Sequence, residues 1–545
     1  PVSDLRFRAP QPYVGTGSDV VISSSSFRPS CIQPNAEGST MSEDCLHLNI
    51  FVPANNPTVK KVMFWIHGGA FQMGSASWYM PSQIVTDYDV IVVTTQYRLG
   101  VFGFLSTGSS GDGNNGLRDQ ILALKWVKNN IGQFGGDAND ITIFGESAGS
   151  ASVSFLCLSP LTKGLFTKAI MQSGTATSLW ALNLNPTERF NAAADKIGCT
   201  DSSLFHLKWF RNTIRSEDKM NCIRNKSLTE IHNLLNYPFA PSSSRRGIFR
   251  GRDRNNNVAK QESIFTSFYP NYNFLPIVDG DVIPRSPQSL LADRNYLTSI
   301  GAMDRTYLLG CNNNEGLILY NAIMTNGGVS NFTKANYAEA FIKGVANAMF
   351  TSTSLTSDKL DLLNYAYTYP RLQDGSVPLQ GLLDFTSDSQ LVLPTVEFAR
   401  ALSQGPNGTN VYLYLFDHMP KPRQPDGLIT GMTHGMDLSY EFDDDTPLRP
   451  QAFYTDEPVL DTEDSLKDLF RTSLTQFTKT GNPTNPLKQN QTWPLYEPRN
   501  EYFFRLSLTP NVSQHLYEKR VVLWTEFVSK KSDSPCDSGR DWWRF

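Results

Sequence analysis

The stretch "ITIFGESAGSASVS", residues 141–154, ends a β-branched apolar run in Gly145, sets Ser147 between two glycines and continues in small residues. A tight turn that needs glycine has this pattern. So does a nucleophile held on a strained strand-to-helix corner. There, flanking glycines let the chain pass without Cβ clashes, and the following helix aims its amides at the reacting centre. A serine hydroxyl attacks a carbonyl at neutral pH only with a base beside it, and the base needs an orienting acid. The chain has only seven histidines, so the search for the base is short. "GMTHGMDLSYEF" (431–442) puts His434 in a loop after the strand-like "VYLYLF" (411–416). His47 falls inside an expected strand and His418 just beyond one, while His206, His232 and His515 carry no loop signature. "YLLGCNNNEGLILY" (307–320) runs from strand to polar loop to Glu315 and Gly316. An isolated glutamate in such a loop is ordinarily solvated, but Ser147, Glu315 and His434 follow one of the known chain orders of nucleophile, acid and base. The attacked carbonyl also needs donors for its developing negative oxygen. In "WIHGGAFQMG" (65–74), Gly68, Gly69 and Ala70 follow an expected strand and let backbone amides come close. The amides of Gly69, Ala70 and Ala148 are the candidate oxyanion donors, with Gly68 supporting. His67 reads as a packing and hydrogen-bonding support for that loop.

These groups need a scaffold. "VMFWIH" (62–67), "DVIVVTTQY" (89–97), "DITIF" (140–144) and "KAIMQS" (168–173) read as buried strands, short and bounded by turn residues. "NNGLRDQILALKWVKNNI" (114–131) reads as a helix with Leu117, Ile121, Leu124 and Ile131 on one face and Asn114 or Asn115 as cap. Strands alternating with helices predict an α/β fold with a large, mostly parallel mixed sheet covered on both faces, and catalytic groups beyond the strands' carboxyl ends. No internal repeat or long linker divides residues 1–545, so a single domain is expected, with helical and loop insertions around 200–262 and 320–400. The arginine-containing stretch "SSSRRGIFRGRDRNNN" (242–257) reads as a solvated loop, with an anion- or partner-binding loop as the alternative.

Composition excludes several classes. The formal charge of −4 and the absence of a basic domain argue against nucleic acid as a partner. No apolar stretch reaches the roughly 18 residues of a membrane span. No metal or other cofactor is called for. The cysteines are Cys31, Cys45, Cys157, Cys199, Cys222, Cys311 and Cys536, and their odd number leaves at least one unpaired within the chain. The sequons at Asn225, Asn331, Asn407, Asn490 and Asn511, with plausible cysteine pairs, favour a secreted glycoprotein.

Taken with "PVSDLRFRAPQP", "SEDCLHLNIFVP", "QYRLGVFGFLS", "GNNGLRDQILALKWVKNNIGQFGGD", "LSPLTKGLFTKAIMQSG" and "FLPIVDGDVIP", the chain resembles the carboxylesterase and cholinesterase family (type-B esterases and lipases) of the α/β-hydrolase fold. The likeness runs nearly end to end. The family ordinarily has strands and a leader before the first of these motifs, and the expectation is that this chain lacks both. The resemblance implies a serine carboxylic ester hydrolase with Ser147, Glu315 and His434 as its triad, working as monomer or homodimer on a small or lipid-like ester. It also implies ion pairs Arg6–Glu43 and Arg98–Asp119, disulfides Cys31–Cys45 and Cys199–Cys222, and Trp180 as a wall of the acyl pocket, for which core packing is the alternative. Glu146 and Ser173 are candidates for the network around His434. Cys157 is expected as a buried thiol, and Cys536 as either an intersubunit bridge or a free thiol. The loop between Cys31 and Cys45 contains no tryptophan, which argues against the cation–π choline site of cholinesterases. That loop is also shorter than the lid of the family's fungal lipases, which favours a carboxylesterase. Juvenile-hormone esterases typically carry Gln where this chain has Glu146. Two alternatives stay open: a lipase, and a binding, adhesion or storage protein that keeps the fold without the activity.

Overall fold

Alternation of side chains in the apolar runs builds one sheet with a core on each face. In the computed structural model, which describes residues 2–13, 26–34, 40–54, 58–200, 215–235, 274–319, 323, 328–349, 355–404, 408–419, 431–443, 463–487 and 492–529, the strands are as follows. A two-residue parallel ladder joins β1 (Ser30–Cys31) to β2 (Met41–Ser42). The main sheet contains β3 (Leu48–Phe51), β4 (Lys60–Ile66), β5 (Ile91–Thr95), β6 (Gly136–Glu146), β7 (Lys168–Gln172), β8 (Thr306–Asn312), β9 (Val411–Phe416), β10 (Tyr502–Leu506) and β11 (Asn511–Gln514). Its order is β11-β10-β9-β8-β7-β6-β4-β5-β3, parallel from β10 to β5 and antiparallel at both edges. Val62, Phe64 and Ile66 point into one core with Leu117, Ile121, Leu124 and Ile131, as expected for the helix Asn115–Asn130. Met63 and Trp65 point into the other, with Phe144, Ile170 and Tyr414. This is the period-two pattern of strands buried on both faces.

The order of strands reverses between β4 and β6, which are neighbours although β5 lies between them in sequence. A crevice opens at such a switch point, outside the carboxyl ends of the strands. Here those ends lead into His67–Ala70 and into Ser147, so topology alone brings the two glycine-rich motifs together. The helices between β8 and β9 (Val329–Phe332, Ala335–Met349, Ser357–Thr368, Leu379–Ser387 and Leu393–Ser403) form a satellite cluster with Trp524 and Val528.

Several local expectations need correction. His47 precedes β3 and is not within it. Asn114 does not cap its helix: it takes a left-handed conformation, and its side chain both donates to and accepts from the Ile277 backbone, at 2.8 and 2.9 Å. Asn115 is the first helical residue, not the cap. β7 stops at Gln172 because Ser173 turns to φ 57°. The arginine-containing loop, most of 200–262, His206, Asn407, Asn490 and Cys536 lie outside the described residues.

Both expected disulfides are formed, Cys31–Cys45 and Cys199–Cys222, and Cys157 and Cys311 are buried free thiols. Burial pushes the Cys157 thiol up to about 12. Arg6 pairs with Glu43 at 2.5 Å and Arg98 with Asp119 at 2.7 Å. Of the described sequons, Asn225 and Asn511 are exposed and Asn331 is half-buried.

Candidate active site

β6 runs straight into the turn that carries Ser147. The serine adopts φ 58°, ψ −123°, a conformation L-residues rarely take, and its N–H donates to the Gln172 carbonyl at 2.9 Å. The helix Ala148–Leu158 then begins at once. The flanking glycines have a specific reason. A Cβ on Gly149 would lie 1.9 Å from the Ile66 carbonyl oxygen, and one on Gly145 would lie 2.6 Å from the same atom. Glycine at these positions therefore lets the end of β4, and the glycine-rich stretch behind it, pack against the serine turn.

That motif bends back on itself. Gly69, Ala70 and Phe71 have φ of 107°, 56° and 61°, and the Gly69 carbonyl accepts from the amides of Gln72 and Met73. Consecutive non-glycine residues in the left-handed region store strain and persist only where neighbours over-determine them. Here Gln33 does part of this, with its side chain bridging both backbone groups of Gly74 at 2.9 and 3.0 Å. His67 supports the loop as expected: it is fully buried, stacks on Tyr97 at 4.4 Å, and Nδ1 approaches the Gly68 carbonyl at 2.8 Å. Burial lowers its pKa to about 4, so it stays neutral. The amides of Gly69, Ala70 and Ala148 make no internal hydrogen bond among the described residues. Gly68 sits directly over the serine, where a Cβ would come to 3.2 Å from Ser147 Cβ and 2.9 Å from a Glu146 carboxyl oxygen.

β8 and β9 deliver the other two candidates. Glu315 opens the short helix Glu315–Leu319 after β8 and is fully buried. His434 lies in the loop after β9, its side chain only 8% exposed. The imidazole Nε2 is 2.8 Å from Ser147 Oγ, and Nδ1 is 2.7 Å from a Glu315 carboxyl oxygen. Glu315 also accepts from the Asn312 amide at 2.7 Å and from the Ser173 hydroxyl. Ser147, Glu315 and His434, separated by up to 287 positions, thus form one continuous hydrogen-bonded line.

The surroundings are strongly acidic. A Glu146 carboxyl oxygen lies 3.3 Å from His434 Nε2. Burial pushes Glu146 up, against the pull of the His434 imidazolium. Burial would lower His434, but Glu146 and then Glu315 outweigh it, and the imidazole holds its proton more tightly than an ordinary histidine. Trp180 packs beside the Ser147 turn: a Cβ on Gly174 would lie 2.9 Å from its ring and 3.1 Å from the Ser147 carbonyl oxygen. The indole N–H donates to the Gln390 carbonyl at 3.2 Å, and the ring packs against the core while remaining partly exposed. Sequence reasoning passed over Gln33, Gln172, Asn312, Asp437 and Glu441. All five are buried at or behind this site, and none bears a local signature, since the side-chain contacts that place each of them here are distant in sequence.

The chain matches the model of the carboxylesterase family over residues 1–524. Acetylcholinesterase of Bungarus fasciatus is 30% identical over 577 aligned residues, covering 99% of this chain and 84% of that protein. Liver carboxylesterase 1F of Rattus norvegicus is 30% identical, covering 98% and 89%. Neuroligin-3 of Mus musculus is 29% identical over 89% of this chain, which spans 57% of that longer protein.

Proposed function

The chain belongs to the carboxylesterase family, and from that premise we propose that it is a secreted serine carboxylic ester hydrolase working through an acyl-enzyme. The observation that carries the reading is the unbroken line from Ser147 Oγ through His434 to Glu315, at 2.8 and 2.7 Å. His434 takes the hydroxyl proton as Oγ attacks the ester carbonyl. Glu315 accepts from Nδ1–H, which leaves Nε2 free to receive that proton and stabilises the imidazolium that forms. The amides of Gly69, Ala70 and Ala148 stabilise the tetrahedral oxyanion, one such donor being worth about 10²–10³ in rate. The alcohol leaves with the proton from His434. Water, activated by the same imidazole, then cleaves the acyl-enzyme and restores the serine. Trp180 forms part of the acyl pocket, and Glu146 and Ser173 support the histidine and the acid. The two disulfides and the exposed sequons Asn225 and Asn511 support an extracellular setting. Among the described residues no helix is long and apolar enough to cross a membrane.

A fluorophosphonate probe tests the reading. Native protein should label and the Ser147→Ala variant should not; unlabelled native protein would sink it. A p-nitrophenyl ester series of rising acyl length then separates an esterase, fastest on short chains, from a lipase. The likeness to neuroligin-3 favours a second reading, a binding or adhesion protein on the same fold. Absence of labelling in correctly folded protein would be its signature.

A further inference from the structure

Behind His434, two buried carboxyls share a single amide. Gln172, the last residue of β7, donates from Nε2 to Asp437 at 3.2 Å and to Glu441 at 2.8 Å, and all of these side chains are fully buried. Its backbone carbonyl meanwhile accepts the Ser147 amide at 2.9 Å. One residue therefore touches both the nucleophile and the segment that bears the base. On the next strand Asn312 is built the same way. Its backbone amide holds Glu315 at 2.7 Å, and its side chain donates to Asp437 at 2.9 Å and to the Thr433 carbonyl at 3.0 Å.

We propose that Gln172 is a positioning residue for the triad, its side-chain amide locking the Asp437–Glu441 pair, and with it the His434 segment, in register with the Ser147 turn. The proposal rests on the esterase reading of the site. The physical reason is charge. Two carboxyls facing each other in a protein interior repel unless a donor lies between them, and without one a carboxyl must protonate or move. Either outcome reaches His434, which is three residues before Asp437 and seven before Glu441. Other groups face this pair, among them the buried Cys311 thiol beside Asp437. From β9, the buried Tyr414 phenol is held well above its ordinary range by burial and then by Asp437 and Glu441. From β6 comes Glu146, and from the β8 loop comes Glu315. From the helix Asp464–Thr480, Arg471 donates to the Glu441 and Phe442 carbonyls and pairs with Asp443 at 3.6 Å. Gln172, Gly310 and Tyr414 are register partners across β7, β8 and β9, and the Tyr414 ring lies where a Gly310 Cβ would be. Movement of the amide on this face is therefore restricted.

The test is Gln172→Met, which keeps length and removes the donors, compared with Gln172→Met/Glu441→Gln, which moves an amide to the other side of the pair. With a p-nitrophenyl ester, the single variant should lose ~10- to 100-fold in kcat with KM changed by less than about twofold. Its acid limb should move to lower pH by about half a unit, because an Asp437 left with the Asn312 side chain as donor protonates more readily and leaves less negative charge behind His434. The double variant should recover kcat to within about threefold of wild type. A purely structural role moves no pH limb. Wild-type kcat and pH profile in the single variant would overturn the proposal, as would a double variant no better than the single. Loss of folding in both would also overturn it, by showing that packing and not donation is what residue 172 supplies. NMR of histidine-labelled protein, with the His434 signal assigned through His434→Asn, reads the same imidazole shift without turnover. A shift seen in protein that labels with no probe would uphold the positioning role and reject the esterase reading.

Discussion

Replacing Glu146 by glutamine removes the charge beside the base without touching the line from Ser147 to Glu315. The carboxyl oxygen lies 3.3 Å from His434 Nε2, and both side chains are almost wholly buried. Unit charges about 4 Å apart interact by about 4 kcal/mol at an effective dielectric of 20, a ceiling of about three pKa units. Glu146 is itself raised by burial to about 8, below where His434 titrates, so it is largely but not fully ionised there. Opposite charges at this range shift measured values by about one to three units, and the lower half of that range is expected here. The sign follows from the proposed mechanism. His434 must be neutral to accept the serine proton, and Glu146 raises its pKa, so the wild-type rate falls away on the acid side earlier than for an ordinary histidine. Glu146→Gln lowers that pKa, so the acid limb moves down by about one to two pH units while the alkaline plateau is retained. The assay is the second-order rate of fluorophosphonate labelling from about pH 6 to about pH 11, a window that brackets a histidine raised to about 9. An acid limb that stays in place, or that moves up, would refute the assignment of Glu146 as the principal charge acting on the base.

Glu315→Gln should cost about 10⁴ in kcat with the fold intact, because an amide N–H facing Nδ1 favours the tautomer that cannot accept from Ser147; near-normal turnover would remove Glu315 from the triad. Gly149→Ala sets a methyl 1.9 Å from the Ile66 carbonyl oxygen, so a loss of folded yield or a fall of about 1–3 kcal/mol or more in denaturant-measured stability is expected. Arg98→Met leaves Asp119 buried without its bidentate partner and should cost about 3–5 kcal/mol, read as a lower urea midpoint; a change under about 0.5 kcal/mol would show that the pair contributes little.

Ser147 with the glycines around it, the strands that end there and the helix Asn115–Asn130 were legible as local patterns: a periodicity, a glycine spacing, a turn after an apolar run. Glu315 and His434 lie in polar loops after apolar runs, and they were singled out only with the help of the resemblance. The ion pairs and disulfides came from the resemblance, since no local rule pairs Arg6 with Glu43 or Cys199 with Cys222. Asn114 was misread because its cap signature is local while its actual partner, the Ile277 backbone, is 163 residues away.

Sequence by itself determined which side chains could do chemistry and which strand ends would carry them. Only the tertiary structure decided how they meet: that β4 lies beside β6, so that Gly145 and Gly149 must be bare to admit Ile66, and that Gln172 and Asn312 wire the three chain segments together. The reason is physical. Backbone preference and burial period are set by near neighbours. A hydrogen bond from Gln172 to Asp437, 265 residues on, exists only once strand order has brought their carboxyl ends to one edge of the sheet.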